Sequence, residues 1–309
     1  MGRLLRLIFL LLCCAFLEGA ESEPVCILNE LNRPYHQPQN FRTVLSALHS
    51  CHAMQPSTMG LKNLRISGSG QFSAAELGFI KNQLCGAHLT IVDLRQESHG
   101  FVNGMAISWF AARDTANRGQ TLEQIDADER SKLADMLKQG RVTIFSVVKK
   151  GQDDNIVETV DVSFKAVSVA QEQQVCASQN VGYIRIPVRD HTRPSDAEVE
   201  RFLDFLKTLP EGMWLHFHCA EGWGRTTTFM CMYDMLRNAK KVSLDDILKR
   251  QHMLGGKNML ALPAPSDWTY PNAQARLDFL RRFYAFCKET DPLKSSWSTY
   301  LNSNAAALK

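Results

Sequence analysis

The sequence lacks the marks of several protein classes. It has no Cys-x-x-Cys pair and no cysteine–histidine spacing of a structural zinc site, which sets zinc-held folds aside. It has no internal repeat and no long low-complexity stretch, which excludes solenoid and biased-composition architectures. After residue 17 no apolar run is long enough to cross a bilayer as a helix, so no stable membrane association is expected of the mature chain. Charge of one sign is scarce too. Lys and Arg number 35 against 32 Asp and Glu, a net charge of +3. That is too mild for a protein that coats nucleic acid, yet it leaves room for a local basic pocket that takes an anion. A composition of 45% hydrophobic and 22% charged residues, with 18 Gly and 11 Pro, excludes wholesale disorder and collagen-like structure.

What is present is enough for a large core. The 309 residues suit one large domain, or one core with a small second unit. The first twenty read as a signal peptide: Arg3 and Arg6, an apolar run from Leu7 to Leu17, then Gly19-Ala20 before a cut. Cleavage there leaves 33 basic against 31 acidic residues, a net charge of +2. The protein is then exported, to a periplasm, the medium or a host cell. Of nine cysteines, Cys13 and Cys14 leave with the signal; the remaining seven cannot all pair within one chain.

Residues 21–45 are polar and contain proline, as in an irregular lead-in. Ser73 and Glu76 form a capping box that opens a helix reaching about Leu84. Leu89–Leu94 is a short apolar run rich in β-formers, as in a buried strand. A helix is expected over Leu122–Leu137. Between 140 and 180 the texture changes to alternating, β-branched segments, Val142–Val148, Ile156–Phe164 and Ala166–Val169, broken at Gly151–Asn155. This reads as a small β insert. Tyr183–Val188 and Trp214–Phe217 are further core strands. Helices are expected from Ser195, over Arg225–Leu236, near 243–253 and over 273–288. Strands alternating with helices give an α/β core, at 46–139 and 181–309, around a largely parallel sheet flanked by helices.

The chemistry concentrates in one loop, His218-Cys219-Ala220-Glu221-Gly222-Trp223-Gly224-Arg225-Thr226. It joins a buried strand to a helix N-terminus, where peptide N–H groups and the helix dipole favour an anion. Gly222 and Gly224 let the backbone curl close to a phosphate. Arg225 offers a fixed fork of donors to two phosphate oxygens. The same positive surroundings favour a thiolate nucleophile at Cys219, to which Thr226 can donate a hydrogen bond. Cys-x5-Arg alone is a weak signal; the histidine, both glycines, the threonine and the strand–loop–helix setting make it strong. A metal site built on His216 and His218 is the weaker reading, because the loop already accounts for His218.

This loop resembles the active-site motif of protein tyrosine phosphatases. Other blocks narrow the resemblance to their bacterial relatives, the cysteine phytases. These are Asn40-Phe41-Arg42-Thr43, Ile66–Ser69, Asp93–Gly100, Asn103-Gly104, Ser108-Trp109, Arg113-Asp114, Asp190-His191, Trp214–Cys219, Arg250-Gln251-His252 and Gly255-Gly256. They run from about residue 40 to 300. The resemblance implies a tyrosine-phosphatase-like core with a small partial β-barrel. It also implies a phosphomonoesterase that acts on inositol polyphosphates, phytate foremost, through a phosphocysteine on Cys219, with no metal or other cofactor. Asp190 is then the general acid that protonates a poor alkoxide leaving group, and His191 contacts substrate or orients Asp190. Ala220, Glu221, Gly222, Trp223 and Gly224 cradle the phosphate. Arg42, Asp114, Lys149, Lys150 and Lys257 stand where the family contacts substrate. Arg95 and Glu97 would pair and pin the phosphate loop, with His218 as support. Where family members carry several lysines, this chain has none over Pro263–Pro271. Two rivals remain: a phosphotyrosine protein phosphatase, and a silent phosphate-binding module, which would be expected to have lost Cys219, Asp190 or Arg225.

Overall fold

The computed structural model describes residues 25–28, 37–49, 55–112, 115–151 and 154–307. The signal peptide read over 1–20, and Asp114, lie outside the described residues.

The central sheet is built from β2 (Arg42–Thr43), β3 (Ile66–Ser69), β4 (Leu89–Asp93), β10 (Gly182–Arg185) and β11 (Trp214–His218). Their order is β10-β4-β11-β3-β2. The first four are parallel and β2 runs antiparallel to β3. β4 and β11 are buried along their whole length, as continuous apolar strands covered on both faces must be. Register then fixes the site. His218 pairs with Asp93 on one side and Ser69 on the other, so three strands end in one row. The loops that leave this row meet at the carboxyl edge of a parallel sheet, where α/β folds bind ligands.

Helices cover the sheet. α1 (Ala74–Gln83), α2 (Leu122–Gln139) and α4 (Asp196–Lys207) begin at Ser73, Thr121 and Ser195. Each cap accepts from the N–H three residues on, and the Glu or Gln there reaches back to the cap. α5 (Gly224–Asn238) is buried from Arg225 to Met235, which makes it the central helix. α6 (Leu244–Met253), α7 (Tyr270–Glu289) and α8 (Trp297–Ala307) follow. α8 was not foreseen; Trp297 anchors it at 1% exposure against Phe279, Phe283 and Phe286.

The second sheet has the order β8-β7-β1-β6-β5-β9. It holds β1 (Val25–Leu28), β5 (His99–Val102), β6 (Met105–Phe110), β7 (Arg141–Lys150), β8 (Ile156–Lys165) and β9 (Val169–Ala170). β7 and β8 form the hairpin expected from their alternation. In this sheet β1, β5 and β6 were not foreseen, nor were β2 and β3 in the central one. The lead-in is not irregular throughout: Val25–Leu28 pairs antiparallel with Ile107–Phe110. Four residues carry too little pattern to announce a strand, and their partner lies some eighty positions away. The sheet is open, with β8 and β9 at its edges. α3 (Glu172–Ser178) returns the chain to the central sheet.

One buried ion pair ties α5 to α6. Arg250 and Asp234, both fully buried, pair directly, and Arg250 Nη1 also donates to the carbonyls of Ser57 and Met59, each at 2.9 Å. Arg250→Met leaves the Asp234 charge buried without its guanidinium. We expect a loss of about 3–5 kcal/mol in urea unfolding; a loss below about 1 kcal/mol would show the pair to be dispensable.

Candidate active site

The loop after β11 is shaped by close backbone contact. Gly222 has φ +77°, and a Cβ there would lie 2.3 Å from Gly70 N and 2.4 Å from Ser69 C. Only glycine fits. Three successive loop carbonyls are tied on the outer side. Ala220 O accepts from Gln71 N at 3.0 Å, Glu221 O from Asn40 Nδ2 at 2.7 Å, and Gly222 O from Arg42 Nη1 at 2.9 Å. In a planar trans peptide the N–H points opposite to the C=O. These ties therefore turn the N–H groups of residues 221–223 toward the concave side, as an anion cradle requires. Cys219 sits at the base of the loop, 3% exposed, and Thr226 Oγ1 lies 3.3 Å from its Sγ.

Arg225 lies on the first turn of α5, 1% exposed. Glu97 takes its end edge in a fork, Nη1–Oε2 at 2.7 Å and Nη2–Oε1 at 3.0 Å. Nη1 also donates to Val188 O at 3.1 Å, and Nη2 contacts Asp190 Oδ2 at 3.0 Å. Nε is buried with no hydrogen-bond partner among the described residues. Burial works against the charge, but Asp190 and Glu97 hold the guanidinium well above its usual range. Glu97 in turn is held well below the usual carboxylate range; burial opposes this, but Arg225 and Arg95 prevail. Arg95 bonds Glu97 Oε1 at 2.8 Å and Gln71 Oε1 at 2.6 Å.

Beneath the loop lies a buried ionic network. His218 Nε2 is 2.7 Å from Glu172 Oε1. His99 Nε2 lies 3.2 Å from Asp93 Oδ2 and 3.4 Å from Glu172 Oε2. Arg185 bridges Asp93 at 3.3 Å and Glu129 at 2.7 Å. Burial alone would lower His99, but Asp93 raises it from 6.5 to about 9. Its proton therefore sits between carboxylates. Asp93, His99 and Glu172 are the one group of ligand-type side chains, among the described residues, close enough to hold an ion. His216 and His218 do not converge on a shared partner. His216 lies 2.9 Å from both Ser67 Oγ and Ser69 Oγ. Burial, with His218 and Arg42 nearby, pushes it well below its usual value.

A cavity of about 320 Å³ opens over the loop. Cys219, Ala220, Glu221, Trp223, Gly224, Asp190, His191, Lys150, Lys257, Arg95 and Glu97 all line it. His191 has φ +55°, donates its N–H to Asp190 Oδ1 at 2.8 Å, and packs its ring 4.9 Å from that of Trp268. Lys150 reaches Asp154 at 2.9 Å and lies over the Phe110 ring. Lys149 is exposed and outside the lining, and Gly222 faces Gly70. Arg42 lies behind the loop, 2% exposed, on Gly222 O and Thr227 Oγ1. Burial lowers it to about 10.

Sequence reasoning missed two residues. Arg276, on α7, lines the cavity at 3% exposure. Its Nη2 donates to Thr192 O at 3.0 Å, and its buried Nε has no hydrogen-bond partner among the described residues. Burial lowers it, with Asp190 and Cys219 opposing. The spacing of α7 marks it only as one basic residue on an amphipathic helix. Glu172, which holds His218, carries no motif at all.

The family model for tyrosine-phosphatase-like phytases, described by the words inositol hexakisphosphate, matches residues 92–237. A tyrosine-phosphatase-like phytase from Bdellovibrio bacteriovorus is 32% identical, with a TM-score of 0.69, over 91% of this chain and 95% of that one. The tandemly repeated phytase of Mitsuokella multacida is 35% identical, with a TM-score of 0.81, over 92% of this chain and 50% of that one. The effector protein hopD2 of Pseudomonas syringae pv. tomato is 30% identical over 287 residues, 91% of this chain and 60% of that protein. The chain thus spans three fifths of the hopD2 length and half of the Mitsuokella chain. It belongs to the protein-tyrosine-phosphatase-like phytase family.

The network makes stability depend on pH in two directions. Glu172 is lowered from 4.5 to about 2, where His218 outweighs the opposing effect of burial. That contribution is complete above 4.5 and is lost as pH falls toward 2. His99 is raised, so its contribution is complete below 6.5 and is lost as pH rises through about 9. Urea unfolding should therefore give highest stability near pH 5–6, within the range usual for such linkage. In His99→Gln the fall between pH 6.5 and 9 should shrink, by up to about 3 kcal/mol. An identical alkaline fall in both proteins would contradict the assignment.

Proposed function

We propose that this protein is a cysteine-dependent phosphomonoesterase that removes phosphates from inositol polyphosphates, inositol hexakisphosphate foremost. The observation that carries the reading is the cavity itself. Cys219 and a turned-in peptide loop form its base, Arg225 stands beside them, and Lys150, Lys257 and Arg276 line it as well. One phosphate needs only the loop and Arg225; further cations suit a ligand with further phosphates. The Mitsuokella relative, whose structure is known in complex with myo-inositol-(1,3,4,5)-tetrakisphosphate, supports the same substrate class. An effector among the relatives supports export.

The steps follow from the residues. The Cys219 thiolate attacks phosphorus in line; an S–P bond forms and the ester P–O bond breaks. The loop N–H groups and Arg225 stabilise the equatorial oxygens. Asp190, at the rim of the cavity, gives its proton to the leaving oxygen. Water then attacks phosphorus, its proton passes to Asp190, the S–P bond breaks and inorganic phosphate departs. Thr226 holds the thiolate. Arg42 acts through the loop carbonyl it binds, and Arg276, Lys257, Lys150 and His191 receive the other phosphates.

Three aromatic side chains, Trp109, Phe110 and Trp223, also line the cavity, so a phosphotyrosine peptide is the comparison substrate. Phosphate release from inositol hexakisphosphate should exceed release from the peptide; the reverse order would favour a protein phosphatase. Cys219→Ser should lose turnover yet keep binding, and residual turnover above about 1% would contradict the covalent route.

Asp190→Asn should lose roughly 10²–10⁴ in rate on inositol hexakisphosphate. On para-nitrophenyl phosphate, whose leaving group needs no proton, it should release one fast burst of nitrophenolate and then turn over slowly. Equal losses on both substrates with no burst would remove Asp190 as the acid.

A further inference from the structure

The donors of Arg225 can be counted. A guanidinium has five N–H groups on two usable edges. Glu97 occupies the Nη1–Nη2 end edge in a fork. The second hydrogen of Nη1 goes to Val188 O. The one edge left for a phosphate is Nε–Nη2, because the Nε hydrogen points to the Nη2 side of the planar group. Nε is buried and has no hydrogen-bond partner among the described residues. Asp190 Oδ2 stands 3.0 Å from Nη2 as an ion-pair contact rather than an aligned hydrogen bond. Asp190 thus lies, as a counter-ion, against the fork that an incoming phosphate needs.

We propose that Asp190 and the substrate phosphate exclude each other at Arg225: in the resting enzyme the carboxylate lies against Nη2 as its counter-ion, and phosphate binding displaces it and leaves it to take up a proton. This rests on the reading of Asp190 as the general acid and resolves a conflict in it. Burial disfavours the Asp190 charge, but Arg225 and His191 outweigh it and hold the carboxyl below its usual range. An ionised carboxylate cannot act as an acid. Once a phosphate takes the Nη2 donor, Asp190 loses its closest cation and gains an anion as neighbour, and both changes favour its protonation. The proton then arrives with the substrate, beside the leaving oxygen. Before that, the buried guanidinium is not left unpaired at its open edge.

Asp190 is faced by charged groups from several elements. Arg225 comes from α5, Glu97 from the segment after β4, His191 from its own loop, Arg276 from α7 and Lys257 from the segment after α6. Cys219 faces Arg225 and Arg276 from the loop. Several of these can respond to an anion, so the Asp190 share must be read as a difference between two proteins.

Sulfate is the probe, since it stays a dianion across the range used and is no substrate. Calorimetric titration of the wild-type chain should show affinity falling as pH rises from 5 to 7, because binding takes up a proton. In Asp190→Asn that slope should flatten, and sulfate should bind about tenfold tighter at pH 7, with no competitor on Nη2. A crystal structure with sulfate should place it on Nε and Nη2, with Asp190 beyond hydrogen-bond reach of Arg225. Sulfate seated there with the Asp190–Arg225 contact intact would overturn the proposal, as would an unchanged slope and affinity in Asp190→Asn. The acid role is judged separately. A variant that loses turnover on inositol hexakisphosphate but binds sulfate as wild type does keeps the acid and rejects the exclusion. One that binds sulfate more tightly and turns over normally keeps the exclusion and rejects the acid.

Discussion

Arg225 is a permanent cation at 1% exposure, and a charge removed from water at that depth must be matched at close range. Much of the fold answers this one requirement. Glu97 is delivered by the chain leaving β4, Val188 by the chain leaving β10, and Asp190 by the loop that follows. Glu97 is itself braced by Arg95, and Arg95 by Gln71 beyond β3. Each of these segments departs from the same carboxyl edge of the parallel sheet, so the register that aligns Ser69, Asp93 and His218 also assembles the guanidinium's surroundings. Nε is the one Arg225 nitrogen without a hydrogen-bond partner among the described residues.

The same economy runs beneath the loop, where the two sheets meet through charge. A large apolar cluster fills the central sheet and its helices and takes in Phe101 and Ala106 of the second sheet, and a small one fills the rest of that sheet. Between them lie Asp93, His99, Glu129, Glu172, Arg185 and His218, drawn from β4, β5, α2, α3, β10 and β11. Buried ion pairs add little net stability. Their geometry is specific, however, and Glu172 fixes the ring of His218 one residue before Cys219. His99 of the second sheet is thus linked through Glu172 and His218 to the residue before the nucleophile.

Much of this was legible in the sequence where the signal is local. The capping boxes at Ser73 and Ser195 start helices where their spacing places them. The apolar runs at Leu89 and Trp214 are buried strands, and the glycine-bearing turn from His218 to Thr226 stands between strand and helix. What escaped depends on distance along the chain. β1 exists because Ile107–Phe110 lies beside it. Arg276 belongs to the cavity because α7 packs on α5 and its guanidinium comes within reach of Gly224. Arg42 stands in its motif as a residue for substrate, and its bonds to Asn40 O, Gly222 O and Thr227 Oγ1 behind the loop were not legible there. In each case the partner, not the residue, carries the information.

The central claim is that chemistry passes through sulfur at Cys219, with Arg225 as the clamp. The most direct measurement is an acid quench of the enzyme during turnover of inositol hexakisphosphate, followed by peptide mass spectrometry. The account predicts one phosphoryl group on the peptide that holds Cys219, joined through an S–P bond and absent from Cys219→Ser. Sustained turnover with no such adduct, or with the phosphoryl group on another residue, would contradict it.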